Sequence, residues 1–240
     1  MIPMFARSMR HRVQGGLSFD GIPIHAAKGV HEGALAILRR YLPPGARVAD
    51  LGAGSGAFSL RLKSIGFEPI AVDINVDSRP QGVPFIEANI MDLSSVFEPG
   101  SLPAAVAIES MEHLRDPIGF LKSVSSVLEP GGFFMVTTPN VTHPYSRLKF
   151  MTKGTFALFT PEFYWATGHT TPLPEWLLRE HLTYAGFEHI ETGFIGSFGF
   201  SSIKQIGVKA MRVWLRSARA PLGIDDDGSN LVMIARRPNR

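Results

Sequence analysis

The chain has 240 residues, of which 45% are hydrophobic and 19% are charged, a composition found in globular proteins and not in disordered chains. Its formal net charge is +3 and its Lys and Arg residues are scattered, with loose clusters only at 7–12 and 204–219, so we expect no nucleic-acid partner despite a pI near 9.3. Cysteine is absent, which excludes disulfides, thiolate metal sites and cysteine nucleophiles.

Helical and strand patterns alternate along the first part of the chain. Apolar residues at helical spacing predict helices, and short apolar runs bounded by turns predict strands. The predicted helices are 25–42, 57–65 and 117–128, and the predicted strands are 47–51, 69–74, 83–86, 104–108 and 133–137, with a turn at 130–132. This alternation is typical of a mostly parallel sheet covered by helices on both faces.

The pattern changes after Pro139. Residues 141–174 hold seven aromatic residues among Gly, Thr and Pro without a steady period, and we interpret them as a lid or a substrate-binding insertion. A helix is then predicted over 174–185, strands over 189–194 and 231–235, and a turn over 225–228. Together the elements predict one α/β domain over 1–240, Rossmann-like and doubly wound, with a seven-stranded, mostly parallel sheet.

A glycine loop after the first predicted strand carries the strongest functional signal. Asp50-Leu51-Gly52-Ala53-Gly54-Ser55-Gly56 leads from strand to helix, and Asp73 lies 21 residues beyond Gly52 at the end of the next strand. Glycines at such a turn let the backbone approach a ligand closely, at the carboxyl end of the sheet where these folds bind nucleotides. The pattern therefore predicts a nucleotide site, although a ligand-free turn has similar spacing.

Charge distinguishes between two cofactor classes. A dinucleotide places its pyrophosphate near the start of the helix, where the Asp50 carboxylate would repel it. S-adenosylmethionine carries an ammonium and a sulfonium and no phosphate, so Asp50 favours that cofactor. Asp73 suits the ribose hydroxyls in either class. A nicotinamide-dependent reductase stays open as an alternative because Ala57 completes a G-x-G-x-x-A pattern, and so does a binding domain without catalysis.

Four motifs, in order and spacing from about 30 to 187, resemble those of the class I S-adenosylmethionine-dependent methyltransferases. They are the glycine loop 50–56, Ala71-Val72-Asp73, Ile108-Glu109-Ser110-Met111-Glu112-His113-Leu114 and Leu128-Glu129-Pro130-Gly131-Gly132. The resemblance implies a Rossmann-like methyltransferase fold and S-adenosylmethionine as cofactor.

The resemblance also implies roles for individual residues. The glycine loop holds the methionine part of the cofactor and Asp73 holds the ribose, while Asn89 takes the place of the acid that usually lies by the adenine amino group. Glu109 borders both cofactor and substrate. The full set of predicted cofactor residues is Asp50, Gly52, Ala53, Gly54, Gly56, Asp73, Ile74, Asn89, Ile90 and Glu109.

The acceptor is predicted to be a hydroxyl group. The chain lacks the Asn-Pro-Pro-aromatic tetrad that grips nucleobase amines and the cysteine needed for attack on C5 of pyrimidines. The E-x-x-E-H run 109–113 resembles that of ubiquinone-pathway O-methyltransferases and of small-RNA 2′-hydroxyl methyltransferases. O-methylation of a small-molecule, lipid-like or glycan hydroxyl is therefore expected, with an RNA 2′-hydroxyl as the alternative.

Three residues are predicted to be catalytic: Glu112, His113 and His169. An imidazole, with an unperturbed pKa near ~6.5, can accept the hydroxyl proton at neutral pH, and we predict that His113 limits the chemical step. In some of the resembled enzymes the E-x-x-E-H run and a later His hold a divalent metal, and His169 is similar in placement. Carboxylates and imidazoles suit such an ion, but an E-H pair can also simply brace its loop, so a metal is possible and not expected. His143 and His181 are expected to be surface or helix residues.

A basic, amphipathic stretch lies near the end of the chain. Over 203–218 the apolar residues Ile203, Ile206, Ala210, Val213 and Trp214 share a helical face. Packing of that face on the sheet is the primary interpretation, and peripheral contact with an anionic membrane is the alternative. No apolar stretch reaches the roughly 20 residues that span a bilayer, and charges within 1–12 do not fit a signal peptide. We expect a cytoplasmic protein, with the inner membrane face as the site of any membrane contact.

Overall fold

A computed structural model describes residues 17–199, 202–219 and 228–239. Its main feature is a seven-stranded sheet with the order β5-β4-β3-β6-β7-β9-β8. Neighbours from β5 to β7 pair in parallel, whereas β9 is antiparallel to both β7 and β8. The strands of this sheet are β3 Arg47–Leu51, β4 Glu68–Asp73, β5 Phe85–Glu87, β6 Leu102–Ile108, β7 Leu128–Pro139, β8 Glu188–Ile195 and β9 Asn230–Arg236. The predicted Rossmann-like, doubly wound sheet is confirmed.

Seven helices lie in the described part of the chain. They are α1 Val30–Leu38, α2 Ala57–Ser64, α3 Pro117–Val127, α4 Pro144–Lys153, α5 Pro161–Thr167, α6 Glu175–Tyr184 and α7 Ser202–Arg219. None of the helices in the ranges the structure describes is long and apolar enough to cross a membrane.

The core consists of two main layers, one on each face of the sheet. On one face α3 and α6 contribute Phe120, Leu121 and Leu178, which are fully buried. On the other face α1 and α2 contribute Leu38 and Leu62. Two buried faces explain why the central strands are almost continuously apolar, as expected for a parallel sheet between helices.

Several boundaries differ from the sequence prediction. Helix α1 begins at Val30 and not at residue 25, because Gly29 has a left-handed φ of 87° and Lys28 bridges to Ser197 in an extended conformation. The turn expected at 130–132 lies within β7, where Gly131 adopts a φ of 82°. Residues 225–227 of the expected turn lie outside the described residues.

The aromatic segment contains two helices that the sequence pattern did not predict. Helix α4 is capped by His143, whose Nδ1 accepts from Tyr145 N, and α5 by Thr160, whose Oγ1 accepts from Phe163 N. Proline follows each cap at the first helical position. His143 was expected to be a surface or helix residue; it caps α4 and is buried, so it belongs to a helix end and not to the surface. His181 lies in α6, as expected.

Helix α7 packs with a different face from the one expected. Val208 and Met211 are buried, and a Cβ at Gly207 would lie 3.3 Å from Leu148 Cδ2 of α4. The face expected to cover the sheet is instead turned away from the protein, with Ile206 69% and Val213 67% exposed. The prediction that this face packs on the sheet is wrong, because α4, unrecognised in the sequence, supports α7.

A short hairpin of β1 Ser18–Phe19 and β2 Ile22–Pro23 lies against the start of α2. The Ser55 hydroxyl donates to Pro23 O at 2.6 Å, and the Arg61 guanidinium lies 4.6 Å from the Phe19 ring centroid. The hairpin therefore lies beside the glycine loop.

Candidate active site

The glycine loop follows β3 where the strand order turns back, the usual ligand crevice of doubly wound sheets. Gly52, Gly54 and Gly56 have φ values of 73°, 52° and 76°, which disfavour any L side chain. A Cβ on Gly52 would also lie 2.6 Å from Ser110 Oγ, and one on Gly56 would overlap Pro80. A Cβ on Gly54 would meet nothing within 4 Å. Glycine is therefore required at positions 52 and 56 because a side chain there would collide with neighbouring residues. At Gly54 the backbone faces open space.

Backbone amides of the loop are anchored to the end of β4. Gly52 N and Ala53 N donate to Val72 O at 2.8 and 3.1 Å. The Asp73 carboxylate accepts from Gly54 N through Oδ2 and from Asn75 N through Oδ1, each at 2.8 Å. Asp73 thus lies where predicted, directly beside the loop, and it braces the loop as well as offering oxygen lone pairs to a ligand.

Asp50 lies beneath the loop and is 1% exposed. Its Oδ2 accepts from the Ser59 hydroxyl of α2 at 2.6 Å. Burial raises the pKa of Asp50 to about 6, with a smaller contribution from the negative charge of Asp73. The carboxylate is close to the loop but is already paired with α2, so its contact with the cofactor ammonium stays a prediction.

The predicted adenine side of the site lies along the ends of β4 and β5. Ile74 is 69% exposed, so its apolar side chain is available to a ligand at the end of β4. Asn89 is exposed and its Oδ1 accepts from Met91 N at 3.0 Å, which leaves the amide NH₂ group and one lone pair for a ligand. Ile90 reaches Gly52, with its Cδ1 3.8 Å from a Cβ built there.

Glu109 at the end of β6 has a strained backbone. Its φ is 52°, rare for a residue with a side chain. Thr137 of β7 holds it from both sides: Glu109 N donates to Thr137 Oγ1 at 3.0 Å, and the Thr137 hydroxyl donates to Glu109 Oε1 at 2.9 Å. Burial raises the pKa of Glu109 to about 7, against the opposing hydrogen bonds from Thr137 and Asn230. Strain of this kind is often found at functional sites.

Glu112 lies in the single turn Met111–His113 and is completely buried. Among the residues that the structure describes, neither of its carboxylate oxygens has a hydrogen-bond partner. Burial, and then the nearby charge of Glu109, raise the pKa of Glu112 well above its ordinary value, against smaller opposing effects of its own backbone amide and of the Thr138 hydroxyl, which lies near the carboxylate without forming a good hydrogen bond. A buried carboxylate without partners is costly and calls for a proton or a cation.

His113 and His169 complete a cluster with Glu112. One ligand atom from each of the three residues lies within 4.8 Å of the others, and the two imidazole centroids are 4.8 Å apart. His169 Nδ1 lies 3.0 Å from the carbonyl oxygen of Leu158, so Nδ1 donates and Nε2 keeps its lone pair. Burial lowers the pKa of His169 to about 4, so its ring is neutral at pH 7.

The structure thus brings together all three residues predicted to be catalytic. His169 comes from the aromatic segment, which is joined to the turn at Glu112: Thr170 N and Thr171 N donate to Glu112 O at 2.9 and 3.0 Å. Phe159 and Phe163 flank the His169 ring at centroid distances of 5.5 and 5.9 Å. Other aromatics of the segment face solvent, with Trp165 70% exposed. Only part of the segment therefore lies at the cluster.

Supporting residues were missed by sequence reasoning. The Ser110 hydroxyl, 3.1 Å from Leu51 O, links the turn after β6 to the glycine loop. Leu158, with a left-handed φ of 63°, directs its carbonyl to His169. Thr137 holds Glu109 from the neighbouring strand. No motif singles out these residues, because their partners are distant in the sequence or are backbone atoms.

Comparison with known proteins agrees with this geometry. A family model described as a methyltransferase domain matches residues 26–192. The ubiquinone biosynthesis O-methyltransferase of Xanthomonas campestris pv. campestris (strain B100) is 31% identical over 131 residues, which are 50% of this chain and 53% of that protein. The chain therefore spans about half the length of the curated relatives it matches.

Two solved structures have a similar fold. A complex of the Haloferax volcanii Trm112 methyltransferase activator with a methyltransferase matches with a TM-score of 0.61 and 17% identity over 87% of this chain and 89% of that one. An S-adenosylmethionine-dependent methyltransferase from Archaeoglobus fulgidus matches with a TM-score of 0.58 and 22% identity over 86% and 94%.

The chain belongs to the methyltransferase-domain family, and its fold is that of the class I S-adenosylmethionine-dependent methyltransferases. The predictions of the class and of S-adenosylmethionine as cofactor are confirmed. A nicotinamide-dependent reductase is excluded by the same finding.

Proposed function

We propose that the protein transfers the methyl group of S-adenosylmethionine to a hydroxyl oxygen of a small molecule. The observation that carries the proposal is the cluster of Glu112, His113 and His169 beside the carboxyl ends of β3 and β6. The matched half of the ubiquinone biosynthesis O-methyltransferases supports oxygen as the accepting atom. Likeness of fold alone does not choose that atom.

The reaction is an in-line displacement. The acceptor oxygen attacks the methyl carbon, the bond from that carbon to sulfur breaks, and S-adenosylhomocysteine leaves. The hydroxyl proton passes to His113, which is exposed at the mouth of the cluster, whereas neutral His169 is held by Leu158 and orients the acceptor. Asp73, Ile74, the glycine loop and Glu109 would hold the cofactor.

The same cluster fits a divalent cation, which we propose as a second feature of the site. The proposal is supported by Glu112, whose buried carboxylate oxygens have no hydrogen-bond partner among the described residues, and by the neutral ring of His169. Glu112, His113 and His169 would hold the ion, with Glu109 next to them. A ring nitrogen that binds the ion cannot also accept the hydroxyl proton, so in a cation-bound site the ion would take over the role proposed for His113. When bound, such an ion stabilises negative charge on the acceptor oxygen.

Cation binding has a test that does not depend on turnover. Mn²⁺ titrated into the whole protein should bind stoichiometrically by electron paramagnetic resonance, and Glu112→Gln should weaken binding by at least about tenfold, as expected for loss of a charged ligand. Glu98→Gln, an exposed carboxylate outside the cluster, is the matched control. Equal Mn²⁺ binding by both variants would show that no cation is held there.

We propose a phenolic or lipid-like acceptor and a lid role for residues 141–174. Phe159 and Phe163 beside His169 supply apolar surface at the point where the acceptor must enter. An RNA 2′-hydroxyl is the alternative, which the scattered Lys and Arg residues of the sequence disfavour. We also infer peripheral contact with a membrane through 203–218.

The test is a screen of phenols, hydroxylated lipids, glycans and a short RNA with S-adenosylmethionine labelled in the methyl group. We expect label on a phenolic or lipid hydroxyl. Label confined to amines or carbons would contradict O-methylation, and no transfer to any acceptor by a protein that binds S-adenosylhomocysteine would favour a domain without catalysis.

A further inference from the structure

Helix α7 leaves a large apolar face uncovered. Its buried side, Val208 and Met211, packs inward near α4. On the opposite side lie Ile206, Ala210, Val213 and Trp214, which we call the outer face of α7. Ile206, Val213 and Trp214 are 69%, 67% and 57% exposed, and Ala210 is exposed too. Water-exposed apolar surface of this kind marks a contact site.

Positive charge is concentrated in α7 itself and in α4, the helix on its inner side. Helices α4 and α7 contain eight Lys or Arg residues and no Asp or Glu. The whole chain has 24 Lys and Arg and 21 Asp and Glu, so the remainder carries 16 basic against 21 acidic residues, a net charge of −5. Lys209, next to the outer face, is exposed. This charge balance, with Lys209 beside the outer face, favours a negatively charged docking partner.

A second copy of the chain that docks through the same face is not such a partner. In a symmetric dimer the same patch would face itself, so the basic residues of α4 and α7 would oppose their own copies. Like charges at close range across an interface are unfavourable. An anionic bilayer, by contrast, takes up an apolar helix face flanked by Lys and Arg and holds Trp at the headgroup level.

We propose that the outer face of α7 docks on a bilayer of anionic lipids, with α7 lying in the plane of the interface. Helix α4 begins the insertion that returns to the active site at His169, so docking places that insertion at the lipid surface. This proposal does not depend on the accepting atom or on a cation. It would bring a lipid-like acceptor, if that is the substrate, close to the cluster.

Vesicle co-sedimentation of the full chain tests the proposal. Binding is expected to vesicles of phosphatidylcholine with phosphatidylglycerol, to be much weaker with phosphatidylcholine alone, and to fall with added salt. Trp214→Ala should reduce partitioning by about tenfold or more because a large apolar side chain no longer enters the bilayer. Lys209→Glu should reduce it at least about fivefold.

Trp176→Ala is the matched control, since Trp176 is 65% exposed on α6, away from this face. It should bind vesicles like the wild type, and every variant should retain S-adenosylhomocysteine binding, which shows that it is folded. If Trp214→Ala does not fold, Lys209→Glu carries the test. Three results would each overturn the proposal. The first is an equal loss of vesicle binding in Trp176→Ala and Trp214→Ala, and the second is no binding to anionic vesicles. The third is a wild-type dimer that Val213→Asp converts to a monomer.

Discussion

Replacing Gly54 by alanine separates the needs of the fold from those of the cofactor. Gly54 has a φ of 52°, and a Cβ built there meets nothing within 4 Å. The substitution therefore lowers the unfolding free energy only by the strain of a left-handed alanine, about 1–2 kcal/mol. If the open space beside Gly54 is where the methionine part of the cofactor lies, the added methyl group must also lower cofactor affinity.

The expected loss of affinity is at least about tenfold, equivalent to about 1.4 kcal/mol. Gly45→Ala is the matched control: Gly45 has a φ of 80°, its Cβ would also meet nothing within 4 Å, and it lies before β3 at the other end of the strand. Both variants should lose similar unfolding free energy in urea. Only Gly54→Ala should bind S-adenosylhomocysteine more weakly in isothermal titration.

Wild-type affinity in Gly54→Ala would refute this reasoning, because the backbone at Gly54 would then not contact the cofactor. A stability loss far greater than that of Gly45→Ala would show instead that other residues pack against the loop at Gly54. Gly52→Ala is expected to behave in that second way, since its Cβ would lie 2.6 Å from Ser110 Oγ.

Three further predictions follow from the site and the core. His113→Ala should lower turnover by at least about 100-fold, the low end for general base catalysis, with cofactor affinity within a few-fold; normal turnover would make the E-H pair a loop brace. Asp73→Asn should do the reverse and raise the KM for S-adenosylmethionine first, because Asp73 faces the loop and not the reacting atoms. Burial, with a smaller effect of Arg61, lowers the pKa of His31 from 6.5 to about 4. Because the unfolded chain then binds a proton more readily than the folded protein as the pH falls, stability decreases on acidification. Between pH 7.5 and 5 the wild type should lose about 2 kcal/mol of unfolding free energy through this group. His31→Leu should lose correspondingly less in urea unfolding at the two pH values, and equal losses in both proteins would show that His31 is not the cause.

The sequence predicted the sheet and its ligand edge well because those parts have local signals. Strand β3 is an apolar run that ends in glycines, and β4 ends in Asp73, so each could be placed from a few neighbouring residues. Helix α4 could not be placed in this way, because its apolar residues show no steady period. Leu148 faces α7, whereas Phe150 stacks on Phe156 of the loop that follows α4. Its start signal, a proline after the cap at His143, was present but stood among other Gly and Pro residues.

The same distinction holds within the site. Glu112 and His113 were found because they form a run, and His169 because of a resemblance in placement. The role of Thr137 could not be predicted from the sequence. Thr137 reaches Glu109 because the register between β6 and β7 pairs it with Ile108, the residue before Glu109. The outer face of α7 was assigned to the wrong surroundings because periodicity identifies an apolar face but not what covers it.

Transfer of a ¹³C-labelled methyl group, followed by nuclear magnetic resonance of the purified product, tests the central claim most directly. The wild type, given the best acceptor from the screen, should yield a methyl carbon bonded to oxygen, and His113→Ala should yield far less of the same product. A methyl carbon bonded to nitrogen or carbon in the wild-type product would contradict the account.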